Sequence, residues 1–304
     1  MGETGGSEGR PFVIELGSWC VRSGQASEAI PDEEVGVELR KEGGWDGVGL
    51  VSRLDGVKDL LLVESSTFLD GRERLDLVGT VMEGCPELGS IFLLRGAAAS
   101  SFAMGRVSAV VVDVGELAAV ASPVTDGYVH KRAVSKVDGG GKALSERIRD
   151  AISPSEFNMD EAKQFLFSEN FKPSEDKKYE LPDGTTIEVP TEAVEDAAAW
   201  VSEPLPGTII SSINKIHGDF EKTVSNADVL LCGGTSLVRG VPNAIFEQSE
   251  ARGVHFLAAK GHDRTLQNWR GGSILGSLGS YSTLAITRAD YAEKGASLVL
   301  SKCA

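Results

Sequence analysis

The segment DVLLCGGTSLVRG, residues 228–240, is the most informative stretch for the fold. It begins with a short apolar run, which is typical of a strand buried on both faces of a sheet. Gly233 and Gly234 end this run, and Thr235 follows in a turn that needs backbone angles glycine adopts easily. Together with the alternation of strands and helices around it, the segment predicts an α/β protein.

Strands and helices alternate on both sides of this segment. Strands are predicted at residues 59–64, 90–94 and 109–114, and helices at residues 69–82, 96–104, 142–152, 208–221 and 269–281. A last helix has Thr287 as its N-cap, Asp290 three residues on, and Gly295 as its stop. The turn at residues 182–184 predicts a hairpin between residues 179–181 and 185–189, whereas residues 28–56 lack a period and predict a loop.

Two short segments share one design. Residues 13–21 read VIELGSWCV and residues 110–120 read VVVDVGELAAV. Each has an apolar strand, an acidic residue near its end, a glycine in the turn and a returning strand. This pattern suggests an internal duplication.

The composition favours a globular protein that binds other proteins. Lys and Arg total 30 against 45 Asp and Glu, which gives a net charge of −15. Such an acidic chain has little basis for binding nucleic acid or an anionic membrane, so partners with basic faces are expected. The four cysteines lie far apart without CxxC spacing, which argues against a zinc site and suits a reducing compartment.

The sequence predicts neither a targeting signal nor a membrane-spanning segment. Residues 1–10 are acidic and glycine-rich, and are expected to form a flexible tail rather than a signal. The most apolar runs are interrupted by Arg95 and Asp113, so no membrane span is expected. An intracellular location follows, in the cytoplasm, the cytoskeleton or the nucleus.

Several motifs occur in a characteristic order. They are DGY at residues 126–128, YELPDG at 179–184, CGGT at 232–235, WRGGSIL at 269–275, then Tyr291, Gly295, Ser297 and Lys302-Cys303. On these residues the chain resembles actin and the actin-related proteins. The resemblance implies the duplicated, ribonuclease-H-like α/β fold of actin, with two large subdomains around a nucleotide cleft.

The resemblance also implies a division of the chain. Residues 11–103 and 267–304 would form the first large subdomain, with 29–57 as the remnant of an inserted small subdomain. Residues 104–140 and 204–266 would form the second large subdomain, and 141–203 a reduced second small subdomain. Because the small subdomains make filament contacts in the family, a self-polymerising filament is not expected.

The positions that bind nucleotide in the family are altered. The resemblance assigns vestigial nucleotide-binding positions to Glu15, Gly17, Ser18, Arg22, Asp113, Gly115, Gly141, Gly233, Gly234 and Thr235. Trp19, Glu116, Leu117, Gly96 and Val238 replace groups that contact phosphate, water or base in the family. No catalytic residue, no metal and no cofactor are therefore expected, and ATP or ADP with Mg or Ca is the alternative.

Some of these residues have two interpretations. Glu15 and Asp113 could hold a metal through water, or be solvated carboxylates at strand ends. Arg22 could pair with a phosphate, or make an ion pair with Glu15 across its hairpin. Gly233-Gly234-Thr235 could approach a nucleotide, or form a tight turn after a strand.

The resemblance also implies a groove that receives amphipathic helices. Its positions are Phe102, Gly105, Val107, Gly127, Tyr128, Ile274, Leu275 and Leu278, which stay apolar or small, with Arg270 at the rim. The alternative is that Ile274, Leu275 and Leu278 face the core.

These observations predict a non-catalytic, structural actin-related subunit of a multiprotein assembly. The family's precedents include chromatin-remodelling complexes and the end cap of dynactin. The alternative is a nucleotide-binding actin-like ATPase that retains ATP or ADP binding and polymerises. A sugar or acetate kinase of the same fold would need a catalytic carboxylate and substrate loops that the sequence lacks.

Overall fold

The computed structural model describes residues 9–36, 40–41, 44–67, 70–151, 178–180, 184, 186–188 and 190–303. The chain divides into two compact units. Unit 1 contains Met1–Val107, Asp126–Val129 and Leu266–Ala304, and unit 2 contains Ser108–Thr125 and His130–Thr265. The finer division into large and small subdomains stays a prediction.

The strands of the described residues are β1 (Phe12–Leu16), β2 (Cys20–Gln25), β3 (Glu33–Gly36), β4 (Arg40–Lys41), β5 (Gly44–Trp45), β6 (Asp59–Glu64), β7 (Ser90–Arg95), β8 (Ala109–Val114), β9 (Ala118–Thr125), β10 (Tyr128–Val129), β11 (Ser135–Asp138), β12 (Lys178–Glu180), β13 (Thr186–Glu188), β14 (Val229–Cys232), β15 (Phe256–Ala258) and β16 (Ile286–Thr287).

The α-helices of the same residues are α1 (Gly47–Val51), α2 (Gly71–Gly84), α3 (Gly96–Ala103), α4 (Gly141–Ala151), α5 (Thr191–Ser202), α6 (Leu205–Asn214), α7 (Glu221–Ser225), α8 (Val241–Arg252), α9 (Gln267–Ser277), α10 (Tyr281–Leu284), α11 (Arg288–Lys294) and α12 (Val299–Lys302). None of them is long and apolar enough to cross a membrane.

Unit 1 is built on a mixed sheet with the strand order β16-β7-β6-β1-β2-β3. Strands β1, β6 and β7 are parallel to one another, and β2, β3 and β16 pair antiparallel to their neighbours. The central strands are almost fully buried, as their continuous apolar runs predict.

The prediction of a loop over residues 28–56 is wrong. This stretch contains β3, which pairs with β2, and helix α1. The apolar pattern does not indicate β3, because two of its four residues are glutamates and three of the four are exposed. A cross-strand ion pair between Arg22 and Glu34, at 2.7 Å, stabilises the pairing instead of apolar packing.

Helix α9 lies very close to helix α3. A Cβ added to Gly271 would lie less than 3.0 Å from three backbone atoms of Ala99. A Cβ added to Gly272 would meet Val63 and Val13 of the sheet. The WRGGS segment therefore provides two glycines where α9 meets a helix on one side and the sheet on the other.

Helix α11 begins as predicted. The side chain of Thr287 accepts a hydrogen bond from the backbone N–H of Asp290, and Asp290 accepts one from the N–H of Thr287. Gly295, with φ of +69°, follows its last residue. The predicted capping box and glycine stop are confirmed.

Replacing Thr287 by alanine is expected to lower the free energy of unfolding by about 1 kcal/mol, because the N–H of Asp290 loses its acceptor. Urea unfolding of both proteins measures the change. Ser301→Ala is the control, since that exposed hydroxyl donates to the carbonyl of Leu298 and caps no helix N-terminus. An equal loss in the two variants would contradict the capping role.

Unit 2 has a second mixed sheet, in which β9, β8, β14 and β15 are neighbours in that order and β11 pairs with β9. Strands β8, β14 and β15 are parallel, whereas β9 runs antiparallel to β8. The core of this unit combines apolar residues of the sheet, such as Val112 and Leu231, with residues of α4, α5, α6 and α8.

The helix predicted over residues 208–221 is wrong in extent. Helix α6 ends at Asn214, and Gly218, with φ of +75°, begins a 3-10 turn before helix α7. Ile210 and Phe220 are exposed, so the isoleucines and Phe220 do not share one buried face.

Helices α5 and α8 were not predicted, whereas the β12–β13 hairpin is confirmed in its described strands.

Candidate functional site

The hairpin β1–β2 of unit 1 carries four of the predicted nucleotide positions. A Cβ added to Gly17 would lie less than 3.0 Å from the carbonyl oxygen of Cys20, so the turn is tight. Ser18 Oγ lies 3.2 Å from Thr67 Oγ1 and 3.4 Å from Ser65 Oγ. The Trp19 side chain at the tip is 43% exposed.

Glu15 and Arg22 of this hairpin form a buried ion pair. Arg22 Nη1 lies 3.1 Å from Glu15 Oε2, and Arg22 Nε lies 2.7 Å from Glu34 Oε2. Of the two interpretations of Arg22, the structure shows the ion pair with Glu15. Burial also raises the pKa of the nearby Cys20 thiol to about 12, so this cysteine is protonated at neutral pH.

The hairpin β8–β9 of unit 2 carries the second group. Asp113 is buried at the end of β8, and its side chain lies against Gly233, because a Cβ added to that glycine would be less than 3.0 Å from Asp113 Oδ1. Gly233 has φ of +93°, which requires glycine or strain. Thr235 Oγ1 donates a hydrogen bond of 2.8 Å to the carbonyl of Gly115.

The start of helix α4 packs against the same hairpin. The N–H of Gly141 donates to the carbonyl of Gly115 at 3.1 Å, and the N–H of Lys142 donates to the carbonyl of Glu116 at 2.8 Å. The structure thus brings together the unit 2 residues Asp113, Gly115, Gly141, Gly233, Gly234 and Thr235. It also brings Glu116, one of the residues that replace nucleotide-contacting groups of the family, against Gly141.

The predicted groove residues all belong to unit 1. Helix α9 and strand β10 both contact helix α3. The Phe102 ring of α3 would lie 2.8 Å from a Cβ added to Gly127, whose N–H donates to the carbonyl of Val107 at 2.8 Å.

The exposure of these residues divides them into two sets. Val107, Tyr128, Ile274 and Leu278 are exposed apolar side chains, and Phe102 is half-buried. The family resemblance assigns these five residues to one groove, and we call them the apolar patch. Gly105, two residues before Val107 in the chain, is also exposed. Leu275 is buried and belongs to the core.

One exposed apolar residue near helix α9 was missed. Arg270 Nε donates to the carbonyl of Ala29 at 3.2 Å, and the next residue, Ile30, is exposed. The backbone N–H of Ser27 also donates to the carbonyl of Ser273. Because residues 28–56 show no period, nothing in the sequence indicated that this segment runs along α9.

Comparison with known families decides the relationship. The actin family model matches residues 55–168 and 156–304. The chain belongs to the actin family. The predicted membership and the actin-like α/β fold are therefore confirmed, and the two mixed sheets with their helices agree with them.

Several curated relatives in the actin family are similar over most of this chain. Actin-related protein 4 of Arabidopsis thaliana is 26% identical over 287 residues, which cover 70% of this chain and 65% of that protein. Actin-like protein 9 of Mus musculus is 26% identical over 80% of this chain and 65% of that protein. Actin-related protein 4 of Oryza sativa subsp. japonica is 26% identical over 80% of this chain and 71% of that protein. The chain thus spans slightly less than two thirds of the first two relatives.

Two replacements within the actin-family pattern are explained by packing. A Cβ added to Gly96 would lie 2.6 Å from the carbonyl oxygen of Glu64 and 3.1 Å from Asn268 Oδ1. The glutamine that the family resemblance places at this position, where it orients the attacking water, therefore does not fit. Val238 is buried in the core of unit 2. Neither position offers the side chain that the family resemblance associates with nucleotide.

Proposed function

We propose that this actin-family chain is a non-catalytic structural subunit of a multiprotein assembly and that its apolar patch binds an amphipathic helix of a partner. The observation that carries the proposal is the exposure of the patch. Four large apolar side chains of unit 1 are left in water, although Leu275 beside them is buried. Clustered exposed apolar side chains mark interaction surfaces in soluble proteins.

The geometry of the patch suits a helix. Ile274 lies in the last turn of α9, and Leu278 is the residue that directly follows the helix. Burying a leucine-sized side chain contributes roughly 1.5–3 kcal/mol, so a few anchors of a partner helix supply useful affinity. Such anchors would repeat at i, i+3 and i+7 along the partner.

The charge of the chain indicates the rest of the partner's chemistry. The net charge of −15 favours a helix with basic residues beside its apolar face. The same charge disfavours direct binding of nucleic acid or an anionic membrane. The partner is therefore proposed to be another protein subunit.

The packing and ion pairs of individual residues support the proposed loss of catalysis. Gly96 has no room for the glutamine that orients water in the family, and Trp19 stands at the tip of the first hairpin. Arg22 is engaged by the carboxylates of Glu15 and Glu34. We propose that the chain hydrolyses no ATP and needs neither cofactor nor metal.

The kind of assembly is also part of the proposal. An actin-related subunit of this type suits a cytoskeletal, dynactin-like complex or a chromatin-remodelling complex, in the cytoplasm or the nucleus. Self-assembly into filaments is not expected, because residues 29–57 are too short to build the inserted small subdomain that makes filament contacts in the family.

Leu278→Asp is expected to abolish binding of the partner helix without unfolding the protein, because it places a charge in the exposed patch. Leu300→Asp is the matched control, since Leu300 is 44% exposed and Leu278 is 48% exposed, but Leu300 lies on α12. Thermal melting shows whether each tagged variant is folded. Mass spectrometry of the native complex isolated with each variant shows which partners it retains.

The outcomes separate the two interpretations of α9. Loss of the partner by Leu278→Asp alone, with both proteins melting as the wild type does, supports the patch. Unfolding of Leu278→Asp would show that Leu278 belongs to the core. A folded variant with unchanged partners would remove the patch from the function.

The alternative is a nucleotide-binding, polymerising actin-like ATPase. The assembled group around Asp113, Gly233 and Thr235 in unit 2 favours it, since these residues occupy nucleotide positions in the family resemblance. The nucleotide content of the purified protein, measured after acid extraction, discriminates between the two functions.

A further inference from the structure

Strand β15 leaves one edge of the unit 2 sheet open. It is the last strand in the order β9, β8, β14, β15, and within the described part of the chain it pairs only with β14. All three of its residues are half-buried, whereas the residues of β8 and β14 are buried. An edge strand presents a row of backbone groups that can pair with another chain.

The register of β15 on β14 shows which backbone groups face the open edge. The two strands are parallel, Val229 lies opposite Phe256, and the N–H of Val229 donates to the carbonyl of His255 at 2.9 Å. In a parallel pair, the backbone groups of alternate residues face the neighbouring strand. Those of His255 and Leu257 therefore face β14, and those of Phe256 and Ala258 face the open edge.

An apolar surface lies beside this edge. Phe256 packs against the core of unit 2, and its ring makes an edge-to-face contact with Phe246 of α8, with 6.2 Å between the ring centres. The Phe246 side chain is nevertheless 45% exposed. Because side chains alternate between the two faces of a strand, every second residue of an added strand would lie on the face of these rings. An apolar residue there would bury the exposed part of Phe246.

The charge around β15 differs from that of the whole chain. Residues 252–260 include Arg252, His255 and Lys260 but no aspartate or glutamate, whereas the chain has a net charge of −15. Lys260 is exposed two residues after the strand. A partner segment with a carboxylate beside its apolar residues complements these cations. A second copy of the chain would bring the same net negative charge, so repulsion disfavours pairing of two β15 strands.

We propose that the open edge of β15 binds an extended segment of a partner protein, which adds a strand to the unit 2 sheet. The segment carries apolar residues at alternate positions and a carboxylate beside them. Main-chain hydrogen bonds to Phe256 and Ala258 supply affinity, and the exposed Phe246 ring selects the apolar residue. The edge belongs to unit 2, so this proposal goes beyond the helix binding proposed for the apolar patch of unit 1.

Hydrogen exchange resolved to single amides tests the proposal on the tagged full chain, alone and in its isolated native complex. The amides of Phe256 and Ala258 are expected to exchange at least about tenfold more slowly in the complex, because the added strand accepts hydrogen bonds from them. The amide of Leu257 is the internal control, since it faces β14 and is protected in both samples.

Several results of this experiment would overturn the proposal. Equal exchange in the two samples would do so, and so would a chain that purifies without a partner. Slow exchange of the Phe256 and Ala258 amides in the free chain would show that the chain covers its own edge. Protection that rises with the concentration of the free chain would show that a second copy binds there instead.

Carbodiimide cross-linking identifies the segment, because it joins the Lys260 amine to a carboxylate in direct contact with it. A cross-link to a partner segment with apolar residues at alternate positions supports the proposal. A complex that protects the edge but gives no cross-link from Lys260 overturns the acidic chemistry assigned to the segment.

Ala258→Pro removes one N–H from the open edge. Proline is tolerated on an edge strand where its nitrogen faces away from the sheet, so this variant is expected to melt as the wild type does. Recovery of the cross-linked partner should fall at least about tenfold, whereas Ala258→Ser, which keeps the N–H, should bind as the wild type does. Leu257→Pro is the contrast, because it removes an N–H that faces β14 and should lower the melting temperature.

The two proposed interfaces fail independently. A folded Ala258→Pro that retains the cross-linked partner overturns strand addition and leaves the apolar patch of unit 1 standing. If Ala258→Pro melts at a lower temperature than the wild type, the exchange of the Phe256 and Ala258 amides in the unsubstituted chain decides. Loss of a partner by Leu278→Asp concerns only the patch.

Discussion

Replacing Gly271 by alanine is expected to lower the free energy of unfolding by about 3 kcal/mol or more. The new Cβ would lie 2.6 Å from the Cα of Ala99 and closer still to its carbonyl group. The atoms that the new Cβ would meet belong to backbone, so no flexible side chain can move aside. Helices α3 and α9 must therefore separate, and overpacking of this kind destabilises a protein. Urea unfolding of the two proteins measures the difference.

Gly207→Ala is the matched control for this substitution. Gly207 is also a helical glycine, but a Cβ added there would meet nothing within 4 Å. We expect this variant to be more stable than the wild type by about 0.5 kcal/mol, because alanine loses less backbone entropy on folding. Equal stability of Gly271→Ala and the wild type would show that the two helices are not in close contact.

Replacing Glu64 by glutamine is expected to lower the free energy of unfolding by about 3–5 kcal/mol. Glu64 and Arg74 are each 1% exposed and form an ion pair of 2.6 Å, and Arg95 lies 3.7 Å from the same carboxylate. Removal of the negative charge of Glu64 would take this ionic partner away from both buried guanidinium groups. Chemical unfolding monitored by circular dichroism measures the loss.

Glu87→Gln provides the control for burial. Glu87 also pairs at 2.6 Å, with Lys58, but both side chains are largely exposed. Exposed pairs contribute little, so no measurable change is expected. Similar losses for the two glutamine variants would mean that burial does not set the strength of the Glu64 pair.

Local signals in the sequence predicted local structure well. The Thr287–Asp290 capping box and the Gly295 stop lie within one short segment, so their geometry follows from residues close in the chain. Strands β6, β7, β8 and β14 were predicted because a continuous apolar run indicates burial on both faces. The fold class depended on these runs.

Contacts between distant residues were not predictable in the same way. Strand β3 is polar, and its pairing depends on Arg22, which lies twelve residues away from Glu34 in the chain. The sequence also did not distinguish buried Leu275 from exposed Leu278, since helix α9 has apolar residues on several sides. The orientation of Glu116 toward Gly141 depends on the packing of a hairpin on a helix that begins 25 residues later.

The order of segments along the chain has a consequence for synthesis. Unit 2 ends at Thr265, so all its residues have been translated before helix α9 of unit 1 is complete. Until then, Val13 and Val63 of the unit 1 sheet lack the helix that packs on them through Gly272. Since chains emerge from the ribosome N-terminus first, we expect unit 2 to close before unit 1. The nascent chain would then expose the apolar strands of unit 1 to chaperones until residues 266–304 of that unit have emerged.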